Sequence, residues 1–373
     1  MSGSLQKKAD IKPKTINNDT EGYLAMNAKE KEQFAQAFYS RQVILKELGK
    51  EGQQKLCNAK VAVVGVGGLG SVSSLYLALA GVGYLRIIDQ DILELKNLHR
   101  QILYTTDDLD YPKVEAAVTR LEKLNPLVRV EAISENVNAG NVERLLDGVD
   151  VVVDGLDNMA TRYLVNRACV RKKIPYVFGA AIGLEGNLSV FSPPDTPCLE
   201  CVLPNLSDDQ LLTCDARGVL GVTPGIIGAM QAFEAMKLLT GIGTPLTGKL
   251  MICDFTDMSF TAIDLSKRTN CPSCKGTLPP ALRERLVWLC GQNTANINPE
   301  KPLKLNLNKV SVDVQQLGFR VRVRSHLALM FDFEGFEVSL FNGGRMLIKN
   351  VPNEEAALKT YKEIVETLNL TKT

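Results

Sequence analysis

"VAVVGVGGLGS", Val61–Ser71, decides the fold. An apolar run enters Gly65, and Gly65, Gly67 and Gly70 then spell G-x-G-x-x-G before a helix-like stretch; Gly68 adds a fourth glycine to the loop. Only glycine lets a backbone approach a phosphate this closely, and the helix N-terminus that follows favours negative charge. Asp89 closes the next strand-like run 19 residues after Gly70, where a carboxylate suits the hydroxyl pair of a ribose. A tight turn alone would also use these glycines, but the flanks and the following acid favour a nucleotide.

Outward from this loop the pattern alternates. VAVVGV, YLRIID, VRVEAIS, VDVVVDG and PYVFGAA read as short strands, interleaved with amphipathic stretches such as KVEAAVTRLEKLN and ATRYLVNRACVRK. That rhythm predicts an α/β domain of the Rossmann-like, doubly wound kind. After Gly186, GNLSVFSP, GKLMICDFTD and MSFTAIDL suggest an antiparallel extension, with a long helix in GIIGAMQAFEAMKLLTG. The expected organisation is a flexible tail over 1–26, a nucleotide-binding domain over 27–276 and a small C-terminal α+β module over 277–373. In that module ALRERLVWLC reads as a helix before a Pro/Asn-rich connection. VSVDV, FRVRVRS, FEVSLF and RMLIKNV read as strands, and EEAALKTYKEIVETL as a closing helix.

Composition adds exclusions. The 373 residues carry a formal net charge of +1 and are 45% hydrophobic, an ordinary globular balance without a bulk signal for nucleic acid or membrane. No apolar run approaches the roughly 18–20 residues that span a bilayer, and the opening residues lack a signal peptide's apolar core, so a cytoplasmic location is expected.

"IIDQDILELKNLHRQ" separates nucleotides from one another. It carries Asp89, Asp91, Asn97, Arg100 and Gln101, and Lys113 follows. NAD or FAD, and with them an oxidoreductase, would satisfy the glycine loop, but a dinucleotide seldom needs such cations. A triphosphate does, because Arg100 and Lys113 can neutralise phosphate charge and departing pyrophosphate. Asp157, in "VVVDGLDN", ends a later strand where open sheets bind ligands, and can serve magnesium or cap the next helix.

These residues, with "FYSRQVIL", "YPKVEAA", "DGLDNMATRYLVN", "CLEC", "LTCDARGVLG" and "CPSC", make residues 58–276 resemble the ubiquitin-activating-enzyme superfamily. That superfamily includes the adenylyltransferases of sulfur-carrier proteins in molybdopterin and thiamine synthesis. The motifs stand in the family's order over more than half the chain. Lys96 replaces a usual serine, and "GVTPGIIG" also varies. The resemblance implies ATP and Mg2+, with the glycine loop and Asp89 holding the nucleotide. Asp91, Asn97, Arg100, Gln101 and Lys113 would position ribose and phosphates, and Asp157 would hold the magnesium. Arg41, in "SRQ", resembles an arginine that reaches the other subunit's phosphates, which implies a homodimer. The implied partner is a β-grasp protein ending in Gly-Gly whose terminal carboxylate is adenylated.

The chain has nine cysteines. Cys198 and Cys201 form one C-x-x-C, and Cys271 and Cys274 another. Four thiolates with no open position fit a structural Zn2+. Cys214 stands alone in a loop-like stretch with Arg217 three residues on, and resembles the family cysteine able to form a thioester or related acyl-sulfur bond with the activated protein. Cys57, Cys169, Cys253 and Cys290 read as packing residues, His99 as a bystander beside the phosphate cluster and His326 as a structural residue of the tail module. After Cys290 the tail has no cysteine, so it lacks the nucleophile of a sulfur-delivering rhodanese domain. Docking of a conjugating enzyme on a ubiquitin-fold-like module, dimerisation or stabilisation are the roles left for it. The leading expectation is a modifier-activating enzyme with a thioester on Cys214. The alternative is a sulfur-carrier adenylyltransferase for molybdopterin, thiamine or tRNA thiolation. An inactive partner subunit is disfavoured by the intact phosphate residues.

Overall fold

The computed structural model describes residues 26–208, 218–277, 285–289 and 293–370, and these fall into two compact units divided between 277 and 285. In the first, Asn27 and Glu30 form a reciprocal cap on α1 (Ala28–Phe38). The short α2 (Ser40–Val43) and α3 (Gly49–Asn58) lead into β1 (Lys60–Val64). There follow α4 (Gly68–Ala80), β2 (Tyr84–Ile88), α5 (Lys113–Leu124), β3 (Arg129–Ile133), α6 (Val142–Leu145), β4 (Val151–Asp154), α7 (Met159–Lys172) and β5 (Tyr176–Ile182). The unit closes with β6 (Glu185–Phe191), α8 (Leu199–Val202), α9 (Val222–Thr240), β7 (Lys249–Asp254), β8 (Ser259–Asp264) and α10 (Pro272–Lys275).

The eight strands form one sheet in the order β3-β2-β1-β4-β5-β6-β7-β8. β3 to β5 are parallel, and β6 to β8 extend the sheet antiparallel. This is the expected Rossmann-like fold with its extension. Val61 to Val64 are buried, as a central strand covered on both faces requires. Chain order steps outward from β1 to β3, then returns to β4 on the other side of β1. The carboxyl ends of β1 and β4 therefore flank a topological switch point, where an open sheet leaves a crevice.

The second unit holds β9 (Leu286–Leu289), β10 (Thr294–Ile297), α11 (Leu307–Gln316), β11 (Val321–Arg324), β12 (Ala328–Phe333), β13 (Phe336–Phe341), β14 (Met346–Lys349) and α12 (Glu354–Thr367). Its sheet runs β11-β12-β13-β14-β10-β9, with every pair antiparallel. Leu329, Phe331, Leu340 and Ile348 from the sheet share a core with Val310 and Val314 of α11 and Ile364 of α12.

Two local expectations are corrected here. VSVDV is helix, not strand. Leu307, Val310 and Val314 are buried at helical spacing while Val312 is exposed, and Asn306 caps the turn. Leu286–Leu289, expected in a helix, is the strand β9, paired with β10. Its Val and Trp favour a pleated surface. β10 lies in the supposed connection; all four of its residues are buried, so it shows no alternation.

Candidate active site

The glycine loop is held by contact with a second turn. A Cβ on Gly65 would come 2.6 Å from the Gly155 carbonyl oxygen, and Gly65 has φ +87°. A Cβ on Gly70 would lie 1.8 Å from the Gly65 oxygen, and one on Gly155 2.0 Å from that same atom. Gly65, Gly70 and Gly155 are thus required by the meeting of the loops after β1 and β4. Gly67 differs. Its nearest neighbour would be Gln101 Nε2 at 3.7 Å, so its side is open.

Asp89 directly follows β2, beneath this loop. Its Oδ2 accepts the Val66 N–H and its Oδ1 the Asp91 N–H, both at 2.8 Å. Burial, against Lys113, pushes its carboxyl up from 3.8 to about 6. Lys113, the first residue of α5, is buried and reaches Asp91 Oδ2 at 2.7 Å. Burial works against its charge, but Asp91, Asp89 and, more weakly, Asp157 hold it firmly cationic. Arg100 runs along Gly68, whose Cβ would sit 3.7 Å from Arg100 Cδ. Its guanidinium donates to the Lys96 carbonyl, to Asn97 Oδ1 and to His99 Nε2, so His99 is a partner of Arg100 rather than a bystander. Gln101 is buried, and its Oε1 accepts no hydrogen bond. A buried acceptor beside an open glycine fits a nucleotide's N–H or hydroxyl.

Asp157 is exposed just past β4. The capping role weighed for it belongs to Asn158, whose side chain accepts the Thr161 N–H, and Asp208 accepts the Met159 N–H at 2.6 Å. Its carboxylate is therefore not consumed by the helix, which fits a metal ligand beside phosphates. Asp89, Asp91, Asn97, Arg100, Gln101 and Lys113 are gathered with the glycine loop at the switch point.

Arg41 is not part of this cluster. It is exposed on α2, and its neighbour Gln42 donates to Ala80 O at the C-terminal end of α4. The glycine loop starts that helix, and 13 residues at about 1.5 Å each put roughly 20 Å between the two ends. Cys214 and Arg217 lie outside the described residues. The segments on either side are placed: Asp208 caps α7, the Gly183 N–H donates to the Gly218 carbonyl, and a Cβ on Gly221 would sit 2.3 Å from His99 O.

The four metal candidates converge. Cys198 Sγ lies 3.8 Å from Cys201 Sγ and 3.6 Å from Cys271 Sγ, and Cys201 Sγ 3.6 Å from Cys274 Sγ. Tetrahedral zinc with bonds of about 2.3 Å sets sulfurs about 3.8 Å apart. Glu200, between the first two cysteines, accepts from Ser273 of the second pair and from Asn166 and Arg167 of α7. Cys169 and Cys253 are buried as expected. Cys57 is exposed, contrary to its packing role, and Cys290 lies outside the described residues.

Sequence reasoning missed several residues that build the site. Tyr104 donates to Val66 O from a buried position, bracing the glycine loop. Asp154, Arg162 and Tyr176 form a buried cluster behind the β4 turn, and Gln231 of α9 donates to Asp154 O. Only Asp154, a charge inside an apolar run, gave a local signal.

Comparison with known proteins names the fold. The ThiF family pattern matches residues 39–273. The chain belongs to the ThiF family. Among its relatives, "Adenylyltransferase and sulfurtransferase MOCS3" of Culex quinquefasciatus is 40% identical over 299 residues, covering 77% of this chain and 68% of that protein. "Sulfur carrier protein adenylyltransferase" of Thermus thermophilus is 43% identical over 242 residues, covering 63% and 89%. "SAMP-activating enzyme E1" of Haloferax volcanii is 43% identical over 237 residues, covering 63% and 87%. The crystal structure of E. coli MccB superposes with a TM-score of 0.57 at 26% identity, over 64% of this chain and 72% of that one. This ThiF-family chain is an ATP-dependent adenylyltransferase. Among its described residues no helix is long and apolar enough to cross a membrane.

Proposed function

We propose that this ThiF-family enzyme adenylates the C-terminal glycine carboxylate of a sulfur-carrier protein of β-grasp fold ending in Gly-Gly. The order of the two expectations from sequence is reversed. One relative, matched along 89% of its length, is named a sulfur carrier protein adenylyltransferase and another an adenylyltransferase and sulfurtransferase, which favours the alternative over a thioester-forming modifier enzyme.

The observation that carries the reading is the placement of Lys113 and Arg100 around an open glycine loop at the switch point. A carboxylate is a poor electrophile. Its oxygen attacks the α-phosphorus of ATP, a new P–O bond forms to the acyl oxygen, and the bond to pyrophosphate breaks. Charge builds on the departing oxygens, and preorganised cations stabilise it. The Gly67–Gly70 backbone holds phosphate, and Asp89 and Gln101 hold ribose. Asn97, through Arg100, fixes a cation beside Gly68. Magnesium, held by Asp157, would neutralise phosphate charge when bound. The four cysteines would hold zinc as a structural clip. Arg41 would act on the nucleotide of a second subunit, since its own loop lies at the other end of α4.

The mixed acyl-phosphate anhydride is then open to a sulfur nucleophile delivered by another protein. The Haloferax relative's name keeps a second reading in view, in which Cys214 takes the acyl group for a conjugating enzyme. ATP–pyrophosphate exchange with purified carriers tests the adenylation step. Exchange is expected with an intact Gly-Gly carrier and lost when its last glycine is removed; exchange indifferent to the carrier would overturn the reading. Cys214→Ala separates the two fates, because full thiocarboxylate formation by that variant favours the sulfur pathway. A reducible enzyme–carrier adduct lost in it favours the thioester.

A further inference from the structure

Behind the β4 turn lies an ion pair that the adenylation chemistry does not touch. Asp154 is fully buried at the end of β4, and Arg162, one turn into α7, is 7% exposed. Arg162 Nε donates to Asp154 Oδ2 at 3.0 Å, and Tyr176 Oη donates to that oxygen at 2.7 Å. The other oxygen, Oδ1, accepts the Leu156 N–H at 2.8 Å. Arg162 Nη2 donates to the Leu156 carbonyl and to the Gly179 carbonyl of β5, both at 2.7 Å. Both backbone polar groups of Leu156 are therefore held by a single ion pair.

Leu156 lies between Gly155, which is pressed against Gly65 and Gly70, and Asp157. A buried pair of this kind seldom adds net stability over apolar residues of the same volume, so its geometry is the better guide to its role. The rigid guanidinium reaches three acceptors from two separate nitrogens, Nε and Nη2, a planar geometry that the single nitrogen of an ammonium does not reproduce.

We propose that Arg162, seated on Asp154, is a positioning residue for nucleotide and metal binding: the pair fixes the backbone on both sides of Leu156 and so sets both the Gly155 contact with the glycine loop and the placement of Asp157. The proposal rests on the adenylation reading of this site. Arg162 reaches no substrate itself; it acts through the turn. A turn displaced by about 1 Å loses affinity for ligands that need several contacts at once.

The test is Arg162→Lys, which keeps the charge opposite Asp154 and removes the fork. Pyrophosphate exchange gives KM for ATP, the half-saturating magnesium concentration and kcat. The rise in Tm on adding ATP, with and without magnesium, gives binding without turnover. The expected result is a KM and a half-saturating magnesium each raised about tenfold, with kcat at saturation within about threefold of wild type. The magnesium-dependent part of the Tm rise should shrink. A folded variant with wild-type KM and magnesium dependence, or one that loses only kcat, overturns the proposal. If Arg162→Lys does not fold, Tyr176→Phe decides, since it deletes one bond to Asp154 and keeps the ring in the core. A two- to threefold rise in KM, about what losing one such bond in the support of the turn should produce, sustains the proposal, and an unchanged KM overturns it. Failure of the underlying reading looks different: Lys113→Gln with wild-type exchange would remove the phosphate assignment, whatever Arg162→Lys does.

Discussion

Lys113 Nζ lies 2.7 Å from Asp91 Oδ2, with the lysine side chain 6% exposed and the aspartate 39%. A buried cation is tethered to a half-open anion. The lysine is preorganised and charged before any phosphate arrives, and the aspartate can turn to solvent or to magnesium when phosphate takes its place. Lys113→Gln removes the cation and leaves Asp89 and Asp91 facing each other. A loss of about 100-fold or more in kcat for exchange is expected, the scale for deleting one preorganised donor. Steady-state exchange across an ATP series checks it, and a loss confined to KM would contradict it.

Asp89 predicts a pH dependence. Its folded carboxyl is raised from 3.8 to about 6, burial being the first cause. A raised carboxyl contributes stability that is fully present below its unfolded pKa and lost as pH rises through the folded value. The ligand-free protein should lose this contribution between about pH 4 and pH 6. ATP binding runs the other way, because ribose hydroxyls need the ionised acceptor. KM for ATP should worsen as pH falls below about 6, and Asp89→Asn should flatten that limb. Tm against pH without ATP, and KM against pH, measure the two arms.

The glycines separate packing from ligand approach. Gly70→Ala places a Cβ 1.8 Å from the Gly65 oxygen and should cost about 1–3 kcal/mol of stability or more. Gly67→Ala meets nothing nearer than 3.7 Å and should leave the ligand-free Tm unchanged while weakening ATP binding. Thermal melts with and without ATP distinguish them. A destabilised Gly67→Ala would mean that the loop's open side is taken up by the fold.

The cysteine cluster predicts one zinc per chain by elemental analysis. Cys198 and Cys271 are 73 residues apart, and a cross-link of that span contributes on the order of 4 kcal/mol on the chain-entropy estimate. Chelation, or Cys271→Ser, should lower Tm by several degrees. Retention of the wild-type Tm after the metal is stripped would show that the Glu200 contacts suffice.

Arg41 and the glycine loop lie towards opposite ends of α4. If each site takes Arg41 from a second copy, Arg41→Ala and Lys113→Gln chains should complement each other. Random re-pairing of the two inactive proteins makes half the dimers mixed, each with one intact site, so about a quarter of wild-type exchange should return. No recovery after confirmed subunit mixing would place Arg41 outside the reaction.

How much was legible follows from range. The strands from Val61 to Ile182 read correctly because one-sided or central burial repeats every few residues. VSVDV did not, because five residues fit a strand and a helix equally; Leu307 and Val314 settle the period only over a longer window. Cys57 was misjudged because apolar neighbours along the chain say little about which face an end-of-helix residue presents.

By itself the sequence determined the Rossmann-like class, the glycine loop after β1 and the two C-x-x-C pairs, and it singled out Arg100 and Lys113 as candidate phosphate cations. Each is a short pattern whose spacing carries its own chemistry. Tertiary structure alone decided that Gly155 must be glycine, that one ion pair holds the backbone on both sides of Leu156, and that burial raises the Asp89 carboxyl to about 6. It also set Arg41 at the far end of α4. These depend on burial and on contacts between residues far apart along the chain, and local spacing does not encode either.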